Sequence, residues 1–264
     1  MNIKDDLFFP ARAEGFDIDR MALPPLVKTK WKKKCDRASR PEAYRRFIQM
    51  LLDLTGFSEG IRILDVGCGV GAEIVELSWL GADCVGLDAD EDRIRLINQL
   101  GDEFGLNVMG VCDDACQLPF DDETFDVVMS FEFFEHVADL DAAMKEQIRV
   151  LRRGGRLIIE QANLLNPLTL FDLVVKYPRR THGKHGGVKW LFRRGRVVDN
   201  LYGTGYAQRD EDVHTRLWWR RKMKQYSSVL QINELTSSLV RMHGKLFWLF
   251  QPLLGNIYIV ATKR

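Results

Sequence analysis

The residues 63–71, Ile63-Leu64-Asp65-Val66-Gly67-Cys68-Gly69-Val70-Gly71, pass from an apolar run through one acid into three glycines on alternate positions. This is the pattern of a buried strand that breaks into a tight turn and opens a helix. Glycine omits the side chains that would keep a ligand off the backbone, and the first helical turn offers unpaired N–H groups. Many nucleotide-binding folds use such a loop, so by itself it selects no ligand. Later acids narrow the choice. Asp88 ends the next apolar run, Val85-Gly86-Leu87, and Asp113-Asp114 follow the third, which ends at Cys112. Three successive strand ends thus carry carboxylates.

That arrangement discriminates between cofactors. A dinucleotide brings a pyrophosphate, which seeks backbone N–H groups and needs a single acid at its ribose. S-adenosylmethionine has no phosphate; its sulfonium, ammonium and one carboxylate leave it net positive. Residues 61–146 hold 4 Lys/Arg against 21 Asp/Glu, a formal charge of −17, so the rest carries +18 of a chain whose net charge is +1. Part of this acidity is solvated helix surface. A phosphate-rich cofactor is nevertheless the less natural ligand.

The ordered set of Asp65 to Gly71, Asp88, Asp114-Ala115 with Leu118-Pro119-Phe120, Phe125-Asp126-Val127-Val128, Glu135-His136-Val137 and Arg149 to Arg156 resembles the motifs of class I S-adenosylmethionine-dependent methyltransferases. It is most like the small-molecule branch that includes quinone and sterol methyltransferases. The resemblance covers roughly residues 61–163, under half of the chain. It implies an α/β fold, a Rossmann-like doubly wound sheet of about seven strands. The last strand would insert antiparallel beside the fifth, and a helical and loop substrate cap would follow strand five.

The same resemblance distributes roles. Gly67, Cys68, Gly69 and Gly71 would let the backbone approach the methionyl part, and Asp65 would bond loop amides or, through water, the ammonium; a purely turn-fixing Asp65 is the structural alternative. Asp88, with Ala89 beside it, would accept both ribose hydroxyls, since a carboxylate takes two donors without offering one. Its alternative is a helix cap ahead of Asp90-Glu91-Asp92. Asp114, rather than the adjacent Asp113, would accept from the adenine amine with Ala115 along the ring, and Ser130 and Phe131 would pass beside the sulfonium.

Methyl transfer from a sulfonium is an in-line displacement of an already activated group. Alignment can supply roughly 7–11 kcal/mol of such a barrier, so a strong cofactor motif without a catalytic triad is no surprise. Glu132, Glu135 and His136 follow the fourth strand, where the methyl should lie. His136, with an ordinary pKa of about 6.5, is the expected base for an attacking hydroxyl, or else a helix cap. Glu135 orients it only if the turn allows, because sequence neighbours usually point apart. Some relatives use nearby acids and histidines to hold a divalent ion; here the set is too sparse, and no metal is expected.

These groups need elements to position them. Strands are expected near 61–66, 83–87, 107–112, 125–130, 156–161 and 256–262, and helices near 41–54, 71–80, 91–104 and 139–152. Alternation of this kind means parallel strands with helices on both faces. Residues 1–38 read as irregular and basic; with the helix after Pro41 they form a segment, 1–60, covering the site. Residues 61–163 form the cofactor core, 164–228 the cap and 229–264 the closing strands. Within the cap, residues 164–175 and 210–226 read as helices.

With 264 residues and 46% apolar content, the chain suits one elaborated α/β domain. Five cysteines without paired spacing suit reduced thiols in a cytoplasmic protein. No targeting or bilayer-spanning segment is expected. Residues 176–196 carry eight Lys/Arg, no acid, and Tyr177, Trp190 and Phe192; Arg216, Trp218, Trp219, Arg220, Arg221, Lys222 and Lys224 repeat the combination. Such segments are commonly solvated faces, but here they suggest an anionic or lipid-linked small-molecule acceptor and contact with a membrane surface. His182 and His185, in a glycine-rich basic loop, are alternative bases. Residues 126–137 hold neither an Asn/Asp-Pro-Pro-Tyr motif nor a Pro-Cys nucleophile, which argues against RNA as the acceptor. A non-catalytic cofactor-binding partner is the rival from another class.

Overall fold

The computed structural model describes residues 17–36, 41–163, 196–199, 209–212, 215–237 and 256–264. The expectations for residues 164–175 and for 176–195 with His182 and His185 lie outside them.

The described strands are β1 (Arg62–Val66), β2 (Asp83–Asp88), β3 (Val108–Cys112), β4 (Phe125–Phe131), β5 (Leu151–Gln161), β6 (Arg196–Asp199), β7 (Arg209–Asp212), β8 (Leu230–Ser237) and β9 (Ile257–Lys263). The helices are α1 (Pro25–Asp36), α2 (Pro41–Thr55), α3 (Ala72–Trp79), α4 (Glu91–Phe104), α5 (Leu140–Val150) and α6 (Arg216–Lys224). Seven strands form one sheet in the order β3-β2-β1-β4-β5-β9-β8, while β6 and β7 form a separate antiparallel pair. β1 runs parallel to β2 and β4, and β2 to β3. β9 lies beside β5, as the resemblance implied, and closes the sheet antiparallel against β8. The sheet is therefore Rossmann-like and mixed.

Two compact units are distinguished, one within residues 1–130 and 141–158, the other within 131–140 and 159–264. In the first, β1 and β2 are buried at nearly every position, as strands covered on both faces must be. α4 starts on Asp90, whose side chain accepts from the Asp92 and Arg93 amides, and stops at Gly105, whose φ of 60° suits a residue without Cβ. In the second unit α6 starts on Thr215, whose side chain accepts from the Trp218 amide.

Three expectations change. Residues 25–36, read as irregular, form α1: Leu23, Val27 and Trp31 recur every four residues, and all three are buried with Val70, Val75, Leu96 and Leu100. The lysines between them masked that stripe. The fifth strand begins at Leu151, not near 156, because the helix ends at Val150 and the next residue already enters the sheet. Finally, Arg209–Asp212 is a strand paired with β6, so the helix expected from 210 begins only at Arg216.

Candidate functional site

In the first unit, the loop between β1 and α3 has the geometry its glycines require. Gly67, Gly69 and Gly71 have φ of 76°, 58° and 71°, the left-handed region that side chains avoid. At Gly71 a Cβ would also lie 2.5 Å from Ile97 Cγ1. The Gly67 and Cys68 amides donate to the Leu87 carbonyl at 2.7 and 3.1 Å, tying the loop to the end of β2. Cys68 is buried, and its Sγ lies where a side chain on Gly86 would have to go. Asp65 is buried at the end of β1. Burial first, then the Glu73 carboxylate, push its carboxyl well above the usual range, while Lys34 opposes them. A cation arriving beside it would draw it back down.

Asp88 is 7% exposed and fully engaged. One oxygen accepts from the Gly69 amide at 2.9 Å and the other from the Asp90 amide at 3.0 Å; one Arg93 guanidinium nitrogen donates to both, at 3.1 and 3.3 Å. The helix cap is Asp90, not Asp88. Asp88 instead fastens the glycine loop to β2 and faces a buried guanidinium, which also pairs with Asp90 at 3.0 Å. Ala89 is exposed beside it.

Asp113 and Asp114 follow β3 and are exposed. Asp113 accepts from the Asp114 amide at 2.7 Å, and Asp114 from the Cys116 amide at 2.9 Å, folding Ala115 into the turn. Ser130 is fully buried, and its hydroxyl contacts the Gln147 side-chain oxygen on α5 at 3.4 Å.

Sequence reasoning missed a set of partners before the motif. Lys34 donates to Glu73 at 2.5 Å and Tyr44 to Glu76 at 2.6 Å, so two buried acids of α3 are matched by α1 and α2. Lys30 is partly buried; desolvation, and then Arg93, lower its pKa. Lys34 of the basic run thus lies against an acid of α3, while Lys32 and Lys33 stay exposed. A glutamate at positions 2 and 5 of α3, on an otherwise apolar helix, was the available signal.

In the second unit, β4 ends in Phe131, which packs edge-on against Tyr258 at 6.4 Å. Glu132 follows with φ of 48°; among described non-glycine residues only Glu123 and Glu132 take positive φ. A short 3-10 turn, Phe134–His136, then sends neighbouring residues to opposite fates: Glu135 is buried and His136 exposed. The Glu135 Oε2 atom has no hydrogen-bond partner. Burial, then the Glu132 carboxylate, raise this carboxyl to about 8, with Glu160 acting in the same direction. Asn256 donates to Glu160 at 2.8 Å and to Glu132 at 3.5 Å. Glu160 and Asn256 were not foreseen; an acid next to the end of the apolar run Leu157-Ile158-Ile159 was the clue for the first. Among the described residues no group of His, Cys, Asp and Glu is arranged to hold a metal.

Residues 64–159 match the family model described as a methyltransferase domain. The sheet order and the glycine loop agree with that likeness, so residues 64–159 are similar to the cofactor-binding part of a methyltransferase. A ubiquinone biosynthesis O-methyltransferase of Parvibaculum lavamentivorans is 37% identical over 130 residues, 47% of this chain and 51% of that protein. The sterol 24-C-methyltransferase erg6 of Aspergillus fumigatus is 35% identical over 117 residues, 43% of this chain and 31% of that protein. The chain spans about half the length of the ubiquinone-type relatives it matches. Among solved structures, a geranyl diphosphate methyltransferase in complex with S-adenosylmethionine is similar in fold, with a TM-score of 0.56, 18% identity, and coverage of 82% of this chain and 84% of that one.

Proposed function

We propose that this chain transfers the methyl group of S-adenosylmethionine to an oxygen or carbon of a small amphipathic or anionic acceptor. The observation that carries the reading is the Gly67–Gly71 loop fastened through the Gly69 amide to Asp88, at adjacent ends of parallel β1 and β2. The residues fit the cofactor: the loop has no side chain at the positions with positive φ, and the acids at the strand ends complement a net-positive ligand. When bound, the cofactor supplies a methyl group already activated on sulfur.

The chain's own residues then bind and align. Asp88 accepts the ribose hydroxyls and shares its oxygens with, or releases, Arg93. Asp65 faces the ammonium, Asp114 the adenine amine, with Asp113, Ala89 and Ala115 around the ring, and Ser130 and Phe131 carry the chain past the reacting centre. Within residues 229–264, β8 and β9 complete the sheet. Burial of β1 and β2 gives the site a rigid floor, so that alignment rather than a strong base supplies most of the acceleration. Glu135 and His136 are the candidates to take a proton.

α6 supports an anionic or lipid-linked acceptor and contact with a membrane surface. Trp219 and Met223 are buried, while Leu217, Arg220, Arg221 and Lys224 recur along one exposed helix face with no acid among them. No helix among the described residues is long and apolar enough to cross a membrane.

The test is transfer of isotopically labelled methyl from S-adenosylmethionine into extract of the source cells, split into organic and aqueous fractions. Label in the organic phase supports a lipid or quinone-like acceptor. Aqueous label that nuclease removes would replace the small-molecule reading with RNA, and cofactor binding with no transfer would replace it with a non-catalytic partner.

A further inference from the structure

We infer that Glu135 itself accepts the proton of a hydroxyl on the methyl acceptor, with Glu160 and Asn256 as positioning residues. The inference rests on the methyltransferase reading above and deepens it by naming the reacting group.

Glu135 is 9% exposed, and its Oε2 has no hydrogen-bond partner. A buried carboxyl oxygen without a partner carries its full desolvation penalty, so a ligand that donates a hydrogen bond to it is favoured there. The atom belongs to a cluster, not to a stray contact. The Glu132 and Glu160 carboxylates face it, and Asn256 bridges those two; β7, whose sequence is Arg209, Asp210, Glu211 and Asp212, packs against the same turn. Glu132 is held at positive φ at the end of β4, a strained conformation of the kind that collects at working sites. His136 is exposed on the other side of the turn.

The cluster's charge selects the ligand. Carboxylates from β5, from the end of β4 and from the 3-10 turn repel an anionic oxygen, so the reacting oxygen arrives as a neutral hydroxyl. Its O–H gives Oε2 the donor it lacks. An anionic group elsewhere on the acceptor has a better place on α6, whose Trp219 packs on Phe134 of the same turn at 5.6 Å. In the reaction the hydroxyl proton passes to ionised Glu135 and the acceptor oxygen bonds to the methyl carbon. The carbon–sulfur bond breaks with its electron pair on sulfur, leaving a neutral thioether, and the proton leaves Glu135 to water after product departs. Because burial, and then the neighbouring acids, hold the carboxyl at about 8, the rate rises with pH through that region. Base catalysis of this kind contributes about 10²–10⁴-fold.

The experiment is the labelled-methyl transfer assay with the full chain, run from pH 6 to 10 (about two units either side of that midpoint), for wild type, Glu135→Gln and Glu160→Gln. Cofactor affinity is followed by calorimetry. Glu135→Gln is expected to lose about 10²–10⁴-fold in turnover with unchanged cofactor affinity. Glu160→Gln removes a neighbouring negative charge, so its rising limb moves to lower pH, a change that a merely structural role would not produce. Glu135→Gln within a few-fold of wild type, or an unmoved limb in Glu160→Gln, would overturn the inference alone. So would an N-methyl product, or activity lost to a chelator and restored by a divalent ion. A wild type that transfers nothing would overturn the methyltransferase reading as well.

Discussion

The glycine loop with Asp88 and the Glu132–Glu135–Glu160 cluster are both built from acids at strand ends, yet they are finished differently. Around Asp88 every carboxylate oxygen has donors: two backbone amides and a guanidinium. On α3, Glu73 is paired with Lys34, and one oxygen of Glu76 accepts from Tyr44. The loop is a part that exists before any ligand arrives. Around Glu135 an oxygen stands without a partner, the next acids repel it, and the backbone at Glu132 is in a region side chains avoid. Binding a large cofactor rewards a preformed surface, because order imposed in advance is not lost on association. Moving a proton needs a group whose charged and neutral forms are close in free energy, which requires incomplete solvation.

The largest effect should come from breaking the preformed part. Gly71→Ala combines a left-handed φ with a Cβ driven into Ile97, so strain of about 1–2 kcal/mol adds to overpacking of about 1–3 kcal/mol. Chemical denaturation should show a loss of that summed size, and Gly69→Ala, with open space around its Cβ, should lose only the first part. Equal losses would mean that the Ile97 contact yields freely. Next comes Asp88→Ala, which should weaken S-adenosylmethionine by about 1.5–3 kcal/mol, the usual loss for a hydrogen bond to a charged group. Calorimetry checks it, and unchanged affinity in a folded variant would remove Asp88 from the cofactor site. Because the same substitution leaves Arg93 with Asp90 alone, Asp88→Ala with Arg93→Gln should recover stability but not affinity.

The two regions also differ in how far the sequence exposes them. β1 and the glycine turn are legible because one short stretch, 63–71, contains both the apolar run and the turn chemistry. Parallel strands with helices on both faces follow from alternation, whereas the place of the last strand beside the fifth was implied by the resemblance alone. α1 was hidden because its stripe of Leu23, Val27 and Trp31 is narrow and five lysines surround it; of these, Lys34 pairs with Glu73 of α3 and Lys32 with Asp19. The Glu135 cluster was half legible. Glu135 and His136 stand out together in sequence, but which one is buried depends on a 3-10 turn, and the turn's direction depends on Phe134 packing against Trp219 some 85 positions on. Glu160 and Asn256 meet only because β9 lies beside β5, which no local pattern contains.

A sharper test of the second region uses stability against pH. The Glu135 carboxyl is raised in the fold from an ordinary 4.5 to about 8. Between those values the folded state binds more protons than the unfolded one, so stability falls as pH rises and levels off above about 8. One group contributes a limiting slope of about 1.4 kcal/mol per pH unit. Glu135→Gln should flatten that slope and be the more stable protein at high pH. The same slope in both proteins would mean that Glu135 is solvated in the fold, and the contrast with Asp88 would fail.

The smallest expected effect isolates the backbone at Glu132. Glu132→Gly and Glu132→Ala both remove the carboxylate, so any influence of its charge on Glu135 is common to them. They differ in φ: glycine accepts 48° freely, whereas alanine keeps the clash of Cβ with the following carbonyl, worth about 1–2 kcal/mol. Glycine recovers less than this, because it also adds freedom to the unfolded chain. The glycine variant should therefore be the more stable of the two by about 1 kcal/mol in denaturant titrations. Both should move the pH dependence of stability to the same extent, toward lower pH. Equal stabilities would show that the alanine variant escapes the left-handed region once the Asn256 contact is gone, so that the strain is imposed by the Glu132 side chain. A less stable glycine variant would show that nothing holds this turn at positive φ.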